Sequence, residues 1–202
     1  DIKFDPTQLV PKTLTVISVR LNYFPQKENT LEILQDKNRA YISRYALGRD
    51  YHKVIRGKLK KLTQRLKKEI KDISFDSRVF TDSAPVLEVE LAEKAGLGWR
   101  GKHTLLLNKE NGSWFFLGEI YTSLPLVTDE KKSNHCGTCT ACIDVCPTKA
   151  IIAPYKLDAN KCISYLTIEF KGSIPIEYRK PIGNRIYGCD DCQLVCPWNK
   201  YG

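Results

Sequence analysis

No methionine occurs in the 202 residues, and the chain opens on Asp1-Ile2-Lys3, so it reads as a fragment or a processed piece. A missing signal peptide is then weak evidence about location. No apolar run approaches the length needed to span a bilayer, which excludes a transmembrane helix and argues against a membrane partner. No cysteine lies outside the stretch from His135 to Pro197. The rest of the composition is ordinary for a soluble globular protein, with 42% apolar and 27% charged residues. The length suits one large domain or two small ones with a real core.

All eight cysteines fall inside that one stretch. Cys136, Cys139, Cys142 and Cys146 read C-x2-C-x2-C-x3-C, followed by Pro147. Cys162 stands alone, and Cys189, Cys192 and Cys196 read C-x2-C-x3-C, followed by Pro197. The first run has the spacing of bacterial ferredoxins, in which the fourth cysteine serves the other cubane. A tight loop presents three thiolates to one cube, and the helix that follows carries the fourth to the second. That rule assigns Cys136, Cys139, Cys142 and Cys196 to one 4Fe–4S cluster. Cys146, Cys162, Cys189 and Cys192 then hold the other, and none is left over.

Disulfides would need an oxidising compartment and give no reason for doubled C-x2-C turns or Cys-Pro pairs. Zinc favours two C-x2-C knuckles, which the three-cysteine run does not match. Cluster cysteines argue for a reducing interior, so a cytoplasmic location is expected. A plain two-cluster ferredoxin would not separate Cys162 from Cys189 by the cysteine-free insertion Ile163 to Gly188. Insertions are tolerated cheaply. Loops on a rigid scaffold nevertheless often carry function, and this one is expected to roof a site fed by the second cluster. Each cubane with four thiolates contributes about −2, which lowers the formal charge of +9 to roughly +5. The balance stays basic and suits a polyanion such as nucleic acid.

Along the chain, residues 14–22 are apolar and β-branched enough for a buried strand, ended by Pro25. Residues 26–39 form a polar surface excursion. Asp50 is the expected N-cap of a helix running to about Ile73. Ile55, Leu59, Leu62, Leu66, Ile70 and Ile73 form its apolar stripe. The rest of its surface is rich in Lys and Arg, either a solvated face or a surface for backbone phosphates. Residues 77–81 predict a strand delivering Asp82, and Ser83-Ala84-Pro85 starts a helix over 86–95 that Gly96 stops. Gly96-Leu97-Gly98-Trp99-Arg100-Gly101-Lys102 lacks the order of a dinucleotide fingerprint and follows no strand. Its three glycines around one Trp suggest backbone lying against something flat and large. Residues 104–108 and 113–120 predict a hairpin with an Asn-Gly turn, and 122–134 a polar connector. The expected fold is an α/β (α+β layered) domain over 1–125 followed by a ferredoxin-like two-cluster module over 126–202, with an insertion at 163–188.

Several segments together resemble the epoxyqueuosine reductase family. They are Ile42 to His52 (ISRYALGRDYH), Asp82-Ser83-Ala84-Pro85, Ala95-Gly96-Leu97-Gly98-Trp99, Cys162 to Thr167 (CISYLT) and Gly183 to Gln193 (GNRIYGCDDCQ). The resemblance covers essentially the whole chain, insertion included. Family members are longer at both ends and usually finish in a helical-repeat region that helps hold tRNA.

The resemblance implies that the first domain binds cobalamin, fed with electrons by the two clusters. It also implies reduction of the epoxide of epoxyqueuosine to the cyclopentene of queuosine at the wobble base of tRNA. Asp82 matches the family's proton donor, and donating at neutral pH calls for a pKa raised by desolvation. Without the resemblance, Asp82 would read as a helix cap before Pro85. The corrin is expected between the two domains, with Arg44, Tyr45, Asp82, Trp99, Lys102, Ser113, Ser164, Cys189 and Asp190 as neighbours. Arg56, Lys60 and Lys67 on the basic helix are expected at tRNA phosphates, with Arg179, Lys180 and Arg185 nearer the anticodon loop. Partners are the modified tRNA and an external electron donor, and the chain is expected to be a monomer. A reductive dehalogenase-like corrinoid enzyme would share the plan, but such enzymes usually carry an export signal and a catalytic Tyr. A ferredoxin-type carrier would need no α/β domain of about 120 residues beside its clusters.

Overall fold

The computed structural model describes residues 4–23 and 30–199. In chain order the elements are α1 (Pro6–Leu9), β1 (Thr15–Asn22), α2 (Thr30–Gln35), β2 (Tyr41–Ile42), α3 (Tyr51–Glu69) and β3 (Ser77–Phe80). There follow α4 (Glu88–Lys94), β4 (Trp99–Arg100), β5 (Leu106–Leu107), β6 (Phe115–Thr122), α5 (Ala141–Val145) and β7 (Ile151–Ala153). The last are β8 (Lys156–Leu157), α6 (Ile163–Ile168), α7 (Ile176–Ile182), β9 (Arg185–Tyr187) and α8 (Asp191–Leu194). Helices and strands mix throughout, as expected. They group into two compact units that interleave along the sequence instead of meeting near residue 125. One holds Asp1–Asn22, Arg49–Trp99 and Phe115–Ser133, and the other Tyr23–Gly48, Arg100–Trp114 and Asn134–Gly202.

The first unit is built on an antiparallel sheet of order β1-β6-β3. Ile120 of β6 lies opposite Ile17 on one side and Val79 on the other. Asp50 caps α3 as expected, its side chain accepting from the backbone N–H of His52. The helix buries Ile55, Leu59 and Thr63 at steps of four residues, and Ile55 and Leu59 pack with Ile120 into the core. Leu62 and Ile73, assigned to that stripe from the sequence, are 37% and 48% exposed. The helix ends at Glu69, because Ile70 turns out of helical geometry with ψ 85°. A helix lying over three strands buries only the narrow row that meets them, so the wider stripe is not used.

Gly118 lets α3 approach: a Cβ there would stand 2.9 Å from Ile55 Cγ2. Side chains alternate along a strand, so Gly118 and Ile120 face α3 while Glu119 points the other way, toward α4. Helix α4 starts at Glu88, later than the expected 86, and stops as expected at Gly96, whose φ is 69°. The Gly96 N–H donates to Glu93 O and the Leu97 N–H to Ala92 O, the paired closure of a Schellman motif.

The expected hairpin of 104–108 with 113–120 does not form. Asn108 and Gly112 exchange two backbone bonds of 2.8 and 2.9 Å, so the turn is present. Strand β5 is only two residues long, however, and β6 pairs over its whole length with β1. An eight-residue apolar partner outcompetes a two-residue one. Pro25 lies outside the described residues. The polar excursion carries α2, which its weak periodicity did not announce.

In the second unit β2 and β9 pair in parallel, Tyr41 with Arg185 and Ile42 with Tyr187, and β7 and β8 form a small antiparallel pair. The insertion after Cys162 is not an open loop. It folds as α6, α7 and β9, with Ile163, Leu166 and Ile182 as a small core. Among the described residues no helix is long and apolar enough to cross a membrane.

Replacing Ile120 by Ala would empty the centre of the first unit's core, at a cost of about 2–5 kcal/mol. A urea titration followed by circular dichroism should show the midpoint falling without a change of slope.

Candidate active site and cluster-binding centre

Strand β3 ends at Phe80, and Thr81 anchors the next step by donating its hydroxyl to Leu117 O at 2.9 Å. Asp82 then turns left-handed, with φ 54°, an uncommon region for a residue with a Cβ. Its carboxylate oxygen Oδ2 accepts from the Tyr51 hydroxyl at 2.6 Å and meets His52 Nε2 at 2.9 Å. His52 Nδ1 lies 3.0 Å from Asp50 Oδ1, and this contact holds the Asp50 carboxyl below its usual range. The Tyr51 ring stacks between His52 and Phe116, with centroids 4.0 and 4.2 Å away. Arg56 donates to the hydroxyl of Ser83, next to Asp82.

The Asp82 side chain is 57% exposed. It is therefore an accessible carboxylate braced by two side chains from the first turn of α3. It does not cap α4, whose N-cap is Leu87. Tyr51 and His52 had no role assigned from the sequence. The signal was available, since both sit directly behind the N-cap Asp50, where a helix start projects consecutive side chains toward a neighbouring loop.

The eight cysteines are all free thiols in the second unit. Burial pushes Cys142 up to about 11, and the next causes are the charges of Cys196, Cys136 and Cys139. Cys196, raised chiefly by burial, likewise has Cys136 and Cys139 as neighbours. Burial raises Cys192 strongly, followed by Cys162, Cys142 and Cys146, and Cys189 has Cys192 and Asp191 beside it. The charges felt by these thiols put Cys142 beside Cys196, Cys136 and Cys139, and Cys192 beside Cys162, Cys142 and Cys146. Among the described residues no three His, Cys, Asp or Glu side chains are placed to hold a single ion; a cubane instead takes one thiolate at each of four irons. Buried thiols this reluctant to ionise fit a site whose metal supplies the compensating charge and expels their protons.

Residues 135–199 match a family profile described as a 4Fe-4S double cluster binding domain, and residues 3–83 one described as epoxyqueuosine reductase QueG. The epoxyqueuosine reductase of Vibrio cholerae is 59% identical over 196 residues, covering 97% of this chain and 53% of that protein. This chain belongs to the epoxyqueuosine reductase family. It spans about half the length of the curated relatives it matches. A solved epoxyqueuosine reductase with an epoxyqueuosine-modified tRNA-Tyr stem loop superposes with a TM-score of 0.87 at 37% identity, over 96% of this chain and 51% of that one. The reductive dehalogenase NpRdhA has a TM-score of 0.62 at 19% identity over 92% of this chain and 26% of that one, a likeness of fold alone.

The other residues singled out from the sequence have the following surroundings. Asp190 is buried, accepting from Tyr41 Oη at 2.6 Å, Ser43 Oγ at 2.5 Å and the Arg44 N–H at 2.8 Å. The Arg44 guanidinium lies 4.9 Å from the Trp114 ring and donates to Thr30. Lys102, 8% exposed, donates to Gly137 O at 2.7 Å and Cys139 O at 2.8 Å, clasping the first cysteine loop. Ser113 is bound by Gln193 and Asn199. Tyr45 lies 6.3 Å from Tyr187, Ser164 is half-buried on α6, and Trp99 is buried in the first unit.

Of the basic residues, Arg56, Lys60 and Lys67 line an open cavity of about 500 Å³ together with Arg78. Arg179 and Lys180 are exposed on α7. Arg185 differs: it is engaged on Asp191 through two bonds, Nε to Oδ2 at 2.7 Å and Nη2 to Oδ1 at 2.5 Å. This guanidinium is fixed inside the unit, a pairing that a sequence spacing of six residues on separate elements does not reveal.

Replacing Cys146 by Ser should damage the cluster associated with Cys162, Cys189 and Cys192 and spare the one begun by Cys136. Iron counts and EPR of the reduced variant check this, and selective loss of the other cluster would reverse the assignment.

Proposed function

We propose that this chain carries the reaction centre of an enzyme that reduces epoxyqueuosine to queuosine at the wobble position of tRNA. The observation that carries the reading is the braced Asp82 carboxylate in a chain whose second unit holds all eight cysteines within a double-cluster domain. The overall change adds two electrons and two protons to the epoxide and releases water. Cys136, Cys139, Cys142 and Cys196 would hold one cluster, and Cys146, Cys162, Cys189 and Cys192 the other. Cobalamin, when bound, supplies the two-electron reduction of the epoxide carbon. A surface that suits a flat macrocycle exists on the β2–β9 pair. There Ile42 and Tyr187 are register partners with exposed side chains, and Tyr45 lies beside Tyr187.

The chain's own part is to manage the protons and hold the RNA. Tyr51 and His52 hold Asp82 Oδ2 in one orientation, so a proton on the other oxygen can be presented to the substrate. The modified base must be splayed out of the anticodon loop to reach it. The cavity lined by Arg56, Lys60, Lys67 and Arg78 supplies a cationic seat for backbone phosphates. An RNA substrate and reduced clusters fit a cytoplasmic enzyme acting as a monomer with an external electron donor.

Asp82→Asn keeps the acceptor for Tyr51 but cannot deliver a proton, so turnover should fall by roughly 10²–10⁴-fold. Cluster content and the visible spectrum of added cobalamin should stay as in the wild type, and normal turnover would rule Asp82 out as the donor. Removing the charges of Arg56, Lys60 and Lys67 together should weaken tRNA binding and flatten its salt dependence, by roughly 0.7–0.9 in slope for each lost phosphate contact. Filter binding across a salt series measures it, and an unchanged slope would make the helix a merely solvated face.

A further inference from the structure

A pair of carboxyl groups lies under the Asp82 turn, and the chemistry proposed above makes no use of it. Glu119, on the central strand β6, is 0% exposed. Among the described residues neither of its carboxyl oxygens receives a hydrogen bond from an N–H or hydroxyl donor. The hydroxyl of Ser18, its register partner on β1, is also buried without a hydrogen bond. The polar group that does reach Glu119 is Glu88, in the first turn of α4. An ionised carboxylate in such a place would need donors or a cation. Burial without donors therefore favours the neutral Glu119 carboxyl, with Glu88 as its polar neighbour. Burial first, and the charge of Glu88 second, push Glu119 up to about 9, and burial raises Glu88 as well. The other titratable groups facing the pair are Asp82, His52 and Tyr121, the last pushed up to about 12 by burial and by both glutamates.

Glu88 has a second contact. Its Oε1 accepts the backbone N–H of Asp82 at 2.6 Å. That N–H belongs to the residue whose backbone is left-handed, a conformation that persists only where the surroundings impose it. The residues that follow are closed by short local bonds, Ser83 N–H to Thr81 O, Ala84 N–H to Asp82 O and Val86 N–H to Ala84 O. None of these ties the Asp82 N–H to the body of the unit; the Glu88 carboxylate does.

We propose that Glu88 and Glu119 form a proton-sharing strut that fixes the backbone of Asp82 and so aims its carboxylate. Both are positioning residues, and the proposal rests on the reading of Asp82 as the proton donor. The strut works while one proton is shared. Once Glu119 ionises, two negative charges meet in an enclosed space and Glu88 is driven off its place under the turn. Because the folded protein holds a proton that the unfolded chain releases above about pH 4.5, stability falls as pH rises from there toward about 9.

The test uses the enzyme loaded with clusters and cobalamin. Glu119→Gln keeps a neutral donor toward Glu88. Its unfolding midpoint should lose the decline that the wild type shows between pH 5 and 9, and its turnover should lose the wild type's alkaline fall near pH 9. Glu88→Ala removes the acceptor, and kcat should drop roughly 10- to 100-fold. KM for tRNA should stay within about twofold, since substrate binding is not what the strut provides. Added to Asp82→Asn, the same change should cost nothing further, because it acts through Asp82.

The proposal is overturned if Glu88→Ala turns over at the wild-type rate, if its loss adds in full to that of Asp82→Asn, or if Glu119→Gln leaves both pH curves in place. Should Glu88→Ala fail to fold, the two curves of Glu119→Gln decide. Full activity of Asp82→Asn would instead remove the reading of Asp82 as donor, and the unfolding curves would still judge the strut.

Discussion

Strand β6 has to satisfy a neighbour on each side and a helix on each face, and the first unit follows from how it does so. Its backbone is hydrogen-bonded to β1 along its full length and to β3 over its second half. A sheet that narrow leaves room for one row of α3 residues, Ile55 and Leu59, which close on Gly118 and Ile120. That packing sets where α3 begins, and the start of α3 carries Tyr51 and His52. The other edge strand, β3, ends beside it and delivers Asp82. Side chains from two separate parts of the sequence, Tyr51 with His52 and Asp82, meet because two elements are registered against one strand.

In the second unit the organising force is charge. Ionising thiols gathered this closely, Cys142 and Cys196 among them buried, is unfavourable unless metal arrives. The polypeptide supports the loops that hold them with buried polar ties of its own. Lys102 holds the carbonyls of Gly137 and Cys139, Asp190 gathers Tyr41, Ser43 and the Arg44 N–H, and Asp191 pairs with Arg185. Such groups are costly to bury and are tolerated because every partner is in place.

Where the sequence was legible, a local rule was at work. The cysteine spacings announce the double-cluster domain because the turn and the short helix α5 bring neighbouring thiols together locally. The cap at Asp50, the closure at Gly96 and the strand leading to Asp82 are equally local. What stayed hidden depended on competition between distant partners. The Asn108–Gly112 turn announces a hairpin, but β1 takes the strand that follows. Arg185 reads as a free cation until Asp191 is seen beside it. Glu119 looks like an ordinary polar residue of an alternating strand, and only its position in the middle of the sheet makes it a buried acid. The buried face of α3 is narrower than its apolar stripe for the same reason: periodicity gives the direction of a face, and the partner sets its width.

The interleaving of the two units bears on the order in which the molecule can be made. Every segment of the first unit precedes residue 134, so its sheet can close during synthesis, before any cysteine has left the ribosome. The second unit has to wait. Its early segments, Tyr23–Gly48 and Arg100–Trp114, emerge long before their partners, and Cys196 can reach Cys136 and Cys139 only after the whole stretch between them has been made. Iron delivery thus follows the folding of the first unit. A translation pause or truncation shortly before Cys196 would leave three thiols gathered and open to oxidation, with no fourth to complete their set.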